Sequence, residues 1–174
     1  MSATQQYIYC IDANVLIQVW QKYYSPDLCP DYWDMLNELG KQGRIFIPEE
    51  VKNEIVVPET SDKTEDDLSK WLKRSMIPVH KPTENVIACW QKILQTDPTH
   101  KLLVDNIKGR SLADPWLIAH AMDTNATVVT KENIDSAMNS KRVKIPNVCK
   151  NMGVRCIDDF EFIKEIGVKF SAKF

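Results

Sequence analysis

The sequence predicts an α/β fold of three layers, a parallel sheet covered by helices on both faces. Three observations carry that prediction. Short β-branched or aromatic runs recur at residues 7–11, 44–47, 126–130 and 154–157. A helical pattern follows each run, and strands alternating with helices build parallel sheets buried on both sides. Acids stand where runs give way to helices, as with Asp12 after the first run and Glu132 after the third. In open α/β sheets, ligands bind at the carboxyl ends of the strands.

A chain of 174 residues with 44% hydrophobic content suits one soluble domain with its own core. A net charge of -2 excludes a uniformly basic nucleic-acid binder, while leaving room for a local basic groove. The cysteines Cys10, Cys29, Cys89, Cys149 and Cys156 are odd in number and scattered, with no Cys-x-x-Cys pair. That argues for reduced, mostly buried thiols rather than a disulfide framework or a zinc site. The sequence shows no basic, apolar leader and no run of about 18 or more apolar residues, so a cytoplasmic protein without membrane contact is expected.

The elements follow in order. After Asp12, the residues Val15, Leu16, Val19, Trp20 and Tyr23 keep helical spacing until Ser25-Pro26. Trp33, Leu36 and Leu39 predict a helix over 31–42, closed by Gly43 at the C-cap. Pro48 can open a helix at 48–57, because proline is tolerated in the first turn. An acidic loop then leads to a helix with Leu68, Trp71 and Leu72, and Val86, Ile87, Trp90, Ile93 and Leu94 predict another over 83–94. Residues 60–108 therefore read as a helical insertion. Helices are also expected at 116–122, 131–138 and 146–151, with a last one from Asp158 onward that turns Phe162, Ile163 and Ile166 inward.

Each acid has a structural reading beside a chemical one. Asp12 could serve a turn. Asp114 before Pro115 looks like an N-cap with proline at N1. Glu132 could face a helix dipole. Among the acids of the helix at 48–57, Glu54 lies about 60° from the buried stripe centred on Val51, Glu50 about 100° and Glu49 about 160°. Glu54 is thus the one expected nearest the sheet. If several of these carboxylates converge, two charges ~5 Å apart at an effective dielectric of ~20 repel by roughly 3 kcal/mol, and the cluster must take up protons or a cation. Oxygen donors without histidine or cysteine select Mg²⁺ or Mn²⁺, which suits phosphodiester hydrolysis. His80, His100 and His120 match none of the junctions and are read as surface or helix-face histidines.

Taken together, these residues resemble the PIN-domain nucleases, in a bacterial, toxin-type branch. Ile11-Asp12-Ala13-Asn14-Val15-Leu16-Ile17 is similar to the family's first motif, with Asp12 the first metal-binding acid and Asn14 its support. The segment from Pro48 to Glu54-Ile55 is similar to the second. Ala113-Asp114-Pro115-Trp116-Leu117 is similar to the third, and Val128-Val129-Thr130-Lys131-Glu132 to the fourth, where the family more often has Asp or Asn in place of Glu132. The resemblance spans nearly the whole chain. It implies a single PIN-like domain over 1–174 with about five parallel strands, Asp12, Glu54, Asp114 and Glu132 around Mg²⁺ or Mn²⁺, and Asn14 and Thr130 as supports. The activity it implies is endoribonuclease, held in check by an antitoxin partner and compatible with a homodimer.

An RNA substrate needs cations near the acids. Lys108, Arg110, Lys131, Lys141, Arg142 and Lys144 are the candidates, against the ordinary fate of loop lysines as solvated charges. Trp20, Trp71 and Trp90 could stack on bases, but their helical spacing favours core packing. Two other readings compete. One is a catalytically inactive PIN-like module that binds RNA or protein, for which the unusual Glu132 speaks. The other is an aspartyl-phosphate phosphatase, which wants an acid where Asn14 stands.

Overall fold

The computed structural model describes residues 6–58, 61–104, 112–134 and 143–172. Strand β1 (Tyr9–Ile11) leads into helix α1 (Ala13–Gln18), which loosens into a π-helical turn, Val19–Tyr23. Helix α2 (Pro30–Lys41), strand β2 (Ile45–Pro48) and helix α3 (Glu49–Ile55) follow. Next come α4 (Asp67–Arg74), β3 (Val79–His80), α5 (Glu84–Thr96) and a 3₁₀ turn, Pro98–Leu103. The chain closes with α6 (Asp114–Thr124), β4 (Thr127–Val129), α7 (Ile145–Met152), β5 (Cys156–Ile157) and α8 (Asp159–Ile166).

The five strands form one parallel sheet in the order β3-β2-β1-β4-β5. Every residue of β1, β2 and β4 is buried, as expected of strands covered on both faces. Because β1 is central, with Cys10 in register with Phe46 on one side and Val128 on the other, the residue after it emerges in the middle of the sheet's carboxyl edge. That residue is Asp12.

The predicted strands are present, and so are the predicted helices other than that over 131–138, with shifts of a few residues at their ends. Three differences have physical causes. Segment 60–108 is not wholly helical: Val79 and His80 add an edge strand to β2, with Ile47 N donating to Pro78 O at 3.0 Å. A two-residue strand in the three residues between Pro78 and Pro82 is too short for an alternating pattern to show. The helix expected over 131–138 does not begin at Lys131, because the Glu132 amide donates to Thr130 Oγ1 at 3.1 Å in a side-chain turn. Residues 135–138 lie outside the described residues. The histidines also differ, since His100 and His120 are buried; His100 Nδ1 lies 2.7 Å from Ile93 O.

The tryptophans pack against aromatic neighbours. Trp33 lies edge-on to Trp20 and Trp71 with centroids 4.6 and 4.7 Å away, and Trp90 stacks on Trp116 at 5.2 Å. Helix α2 meets the segment before β3 so closely that a Cβ on Gly40 would lie 2.5 Å from Met76 O. Since that obstacle is backbone, Gly40→Ala is expected to cost about 1–3 kcal/mol in urea unfolding. An unchanged midpoint would show that the contact is looser.

Candidate metal centre

The position of Asp12 follows from the sheet. Its amide donates to Val129 O at 3.0 Å, continuing the β1–β4 ladder, and its residue is only 2% exposed. Thr130, just past β4, is equally buried and donates from Oγ1 to Asp12 Oδ2 at 2.8 Å. The same hydroxyl accepts the Glu132 amide, so its donor and an acceptor site are both used.

Burial pushes the Asp12 carboxyl up to about 7, helped by the negative charges of Glu132 and then Glu54; the Thr130 hydroxyl and the Asn14 backbone amide pull the other way. Three of the predicted acids therefore share one electrostatic neighbourhood. Glu54 reaches it by accepting the Ala113 amide on Oε1 at 3.2 Å, which ties α3 to the start of α6 next to Asp114. Asp114 is 3% exposed and begins the helix, with Ala113 in the N-cap position, so it is not the capping residue the Asp-Pro pair suggested.

Helix geometry ranked Glu54 as the acid nearest the sheet, yet it is the exposed one, while Glu49 and Glu50 are half-buried. It reaches the crevice from the solvent side, beside a cleft of about 440 Å³ that Trp20, Asp66 and Asp67 also line. Glu50 instead faces His120, with Oε2 3.7 Å from Nε2. Burial, with His80 nearby, pushes His120 down to about 4, which keeps it neutral at pH 7.

Glu132 has a structural occupation. Its Oε2 accepts the Ile145 amide at 2.8 Å, the first N–H of α7, and its Oε1 lies 3.8 Å from Lys144 Nζ. Lys131 is also engaged: its ammonium lies 2.7 Å from Asp159 Oδ2, over the rings of Tyr23 and Phe160 at 4.2 and 4.9 Å. Its side chain is only 10% exposed, so it offers no free charge to an RNA. Lys144 stays partly exposed beside Glu132. Lys108, Arg110, Lys141 and Arg142 lie outside the described residues.

The sequence reading passed over Asp159. The rule that flagged Asp12, an acid just after a strand, applies equally to Asp158-Asp159 after β5. Asp158 caps α8, accepting the Glu161 amide at 2.8 Å in a capping box, and Asp159 turns inward to Lys131.

The donor set fits a hard cation in kind, being all oxygen, with a buried carboxyl whose charge its surroundings do not balance. Among the described residues, no group of three or more acidic, histidine or cysteine side chains is placed to hold a metal ion.

The raised Asp12 sets a testable pH dependence. Its pKa is higher folded than unfolded, so stability falls as pH rises from about 4 through about 7. Without metal, Asp12→Asn is expected to exceed the parent in stability by on the order of 4 kcal/mol above pH 7, the gap closing as pH drops toward 4. Denaturant melts at pH 5 and pH 8 check this, and a gap that fails to widen with pH refutes it.

Comparisons place this geometry among known folds. VapBC2 from Rickettsia felis, in a structure bound to a DNA fragment from its promoter, aligns with a TM-score of 0.57 at 18% identity, covering 87% of this chain and 98% of that one. FitAcB from Neisseria gonorrhoeae aligns at 0.50 and 16%, covering 86% and 96%. At such identities the likeness shows a shared fold alone. Comparison with curated protein sequences finds no match. A family profile does match residues 9–170, and by it the chain belongs to the family described as a domain of unknown function (DUF4411).

Proposed function

We propose that this chain is a Mg²⁺- or Mn²⁺-dependent endoribonuclease of the PIN type, the toxin of a toxin-antitoxin pair. The observation that carries the reading is Asp12: a buried carboxyl at the centre of the sheet's carboxyl edge, raised in pKa partly by the charges of Glu132 and Glu54. Desolvated carboxylates sharing one crevice favour a cation over a proton once a hard divalent ion is available. The resemblance of four sequence motifs in order supports nuclease chemistry. The likeness in fold to VapBC2 and FitAcB supports a protein partner, in the role of an antitoxin.

Asp12, Glu54 and Asp114 would hold the ion, with Glu132 contributing charge. When bound, such an ion supplies Lewis-acid polarisation of the phosphodiester and acidifies a water. The chain's own residues do the rest. Thr130 fixes the Asp12 carboxylate through Oγ1, and the Ala113 amide fixes Glu54 at the mouth of the crevice. Asp12 gives up its proton as the cation arrives, so metal affinity is expected to rise with pH up to about 7. RNA would enter at the open side where Glu54 is exposed, with Lys144, partly exposed beside Glu132, as a cation for its phosphates.

Two observations favour a second reading, a PIN-like module without catalysis that binds RNA or protein. Glu132 is engaged with the start of α7, and no closed three-acid cage stands ready among the described residues. Metal titration separates the two. For the nuclease, saturating Mn²⁺ raises Tm by several degrees, since a ligand at 100 times its Kd stabilises by about 2.7 kcal/mol. Single-stranded RNA is then cleaved, Asp12→Asn loses the cleavage at least about 100-fold, and Thr130→Val weakens metal affinity or activity roughly 10–100-fold. A melting temperature indifferent to millimolar Mn²⁺, with no cleavage, selects the binding module.

A further inference from the structure

Two large aromatic side chains stand exposed at the carboxyl edge of the sheet. Tyr23 closes the π-helical turn after α1 and is 44% exposed, and Phe160 lies in the first turn of α8 and is 48% exposed. The two come from opposite ends of the chain, yet their rings meet at 78° with centroids 6.4 Å apart. What joins them is Lys131. Its ammonium lies 4.2 Å from the Tyr23 ring centre and 4.9 Å from that of Phe160, and the buried Asp159 holds it through Oδ2 at 2.7 Å. Each ring therefore gives one face to a nearly buried cation, and the surface it shows to solvent is the outer face and rim. Exposed apolar residues scattered singly need no explanation, but a pair fixed in orientation by a buried ion pair is a built surface.

Its place and its charge both bear on the site. Lys131 follows Thr130, whose hydroxyl holds Asp12, and α8 begins just past the carboxyl end of β5. Only β4 separates β5 from β1, which puts β5 on the order of 10 Å from β1 along that edge. The aromatic pair thus stands beside the crevice of the acids. Lys22, next to Tyr23, is exposed, and so is Lys164, one turn after Phe160 on the same face of α8. The acids of the α8 start are engaged: Asp158 and Glu161 in their reciprocal cap, Asp159 on Lys131. Aromatic faces set among cations suit single-stranded nucleic acid, whose bases stack while lysines meet its phosphates.

We propose that Tyr23 and Phe160 form a stacking platform for a base of single-stranded RNA, flanked by Lys22 and Lys164 for its phosphates. The inference rests on the proposal above that RNA is the substrate, but not on its cleavage. It identifies which surface leads the strand into the crevice.

The experiment compares two ligands on the metal-free full chain by fluorescence anisotropy: labelled oligouridine, and an abasic ribose-phosphate strand of the same length. Phosphate contacts are common to both, so the difference reads the bases. Oligouridine is expected to bind at least about 5-fold more tightly, since stacking on aromatic side chains contributes roughly 5- to 100-fold per base. Tyr23→Leu and Phe160→Leu, checked for folding by their melting temperatures, are expected to lose most of that gap and to keep the parent's affinity for the abasic strand. Tyr23→Phe and Phe160→Tyr retain the gap. Rings that served only to pack Lys131 would move both affinities alike or neither. Equal binding of the two strands by the parent overturns the platform even where a leucine variant fails to fold, and so does a gap that survives both leucine substitutions. A parent that binds neither strand leaves the pair to a protein partner and overturns it as well. Cleavage by the parent in Mn²⁺ is scored separately. A gap without cleavage supports the platform against the nuclease reading, and cleavage without a gap does the reverse.

Discussion

The carboxyl edge of this sheet depends on one hydroxyl. Thr130 Oγ1 donates to Asp12 Oδ2 at 2.8 Å and accepts the Glu132 amide at 3.1 Å, joining the ends of the two central strands. Without such a partner a carboxyl 2% exposed would face the full cost of desolvation. Even with it, burial and neighbouring acids hold Asp12 near neutrality in its titration. The sheet is stable enough to carry this because β1, β2 and β4 are buried on both faces. Part of the cost falls on Asp12, and part on other buried groups such as His120, which burial pushes down to about 4.

How much of this was legible in the sequence varies with the length of the signal. Strands β1 and β4 were readable because they are apolar runs ending on polar residues, and α2 and α5 because their apolar residues repeat over three turns. Strand β3 was not, since a strand of two residues carries no period. The looser turn at Val19–Tyr23 also left no mark, because the apolar spacing of Val19, Trp20 and Tyr23 fits an unbroken helix. Asp12 and Thr130 were placed at one site in advance through the motif resemblance, which made Thr130 a support of the acids. The fate of Lys131 could not, because its partner Asp159 is 28 residues away and the pairing exists only once β4 and β5 lie side by side.

Glu54 shows the limit of helical geometry. The angle about α3 put Glu54 nearest the sheet, yet Glu54 is the exposed acid and Glu50 the half-buried one, turned to His120. An angle measures direction, whereas burial depends on what packs opposite. Near Glu54 the neighbour is the backbone at Ala113, which offers an amide and leaves the outer side open. Electrostatics favours this placement, because an exposed carboxylate adds charge to the crevice at a lower desolvation cost than a second buried one.

The same reasoning accounts for glutamate at position 132, where the resembling motif more often has Asp or Asn. One more methylene carries the carboxylate to the Ile145 amide, the unsatisfied first N–H of α7, where a negative charge is favourable. The shorter acid would leave that amide to water and α7 less firmly joined to the turn after β4. Glu132 still raises Asp12 through its charge, so it acts on the site without leaving the helix. Lys131 beside it is fixed by Asp159 and two aromatic rings, and a buried charge so held resists displacement because separating it from its partner would strand both. Two consecutive residues of opposite charge are thus bound to two different elements, the starts of α7 and α8. Thr130 itself is held by the sheet, its amide donating to Ile157 O at 3.1 Å, so the ladder sets the geometry of Asp12 and these two contacts fix the turn after β4.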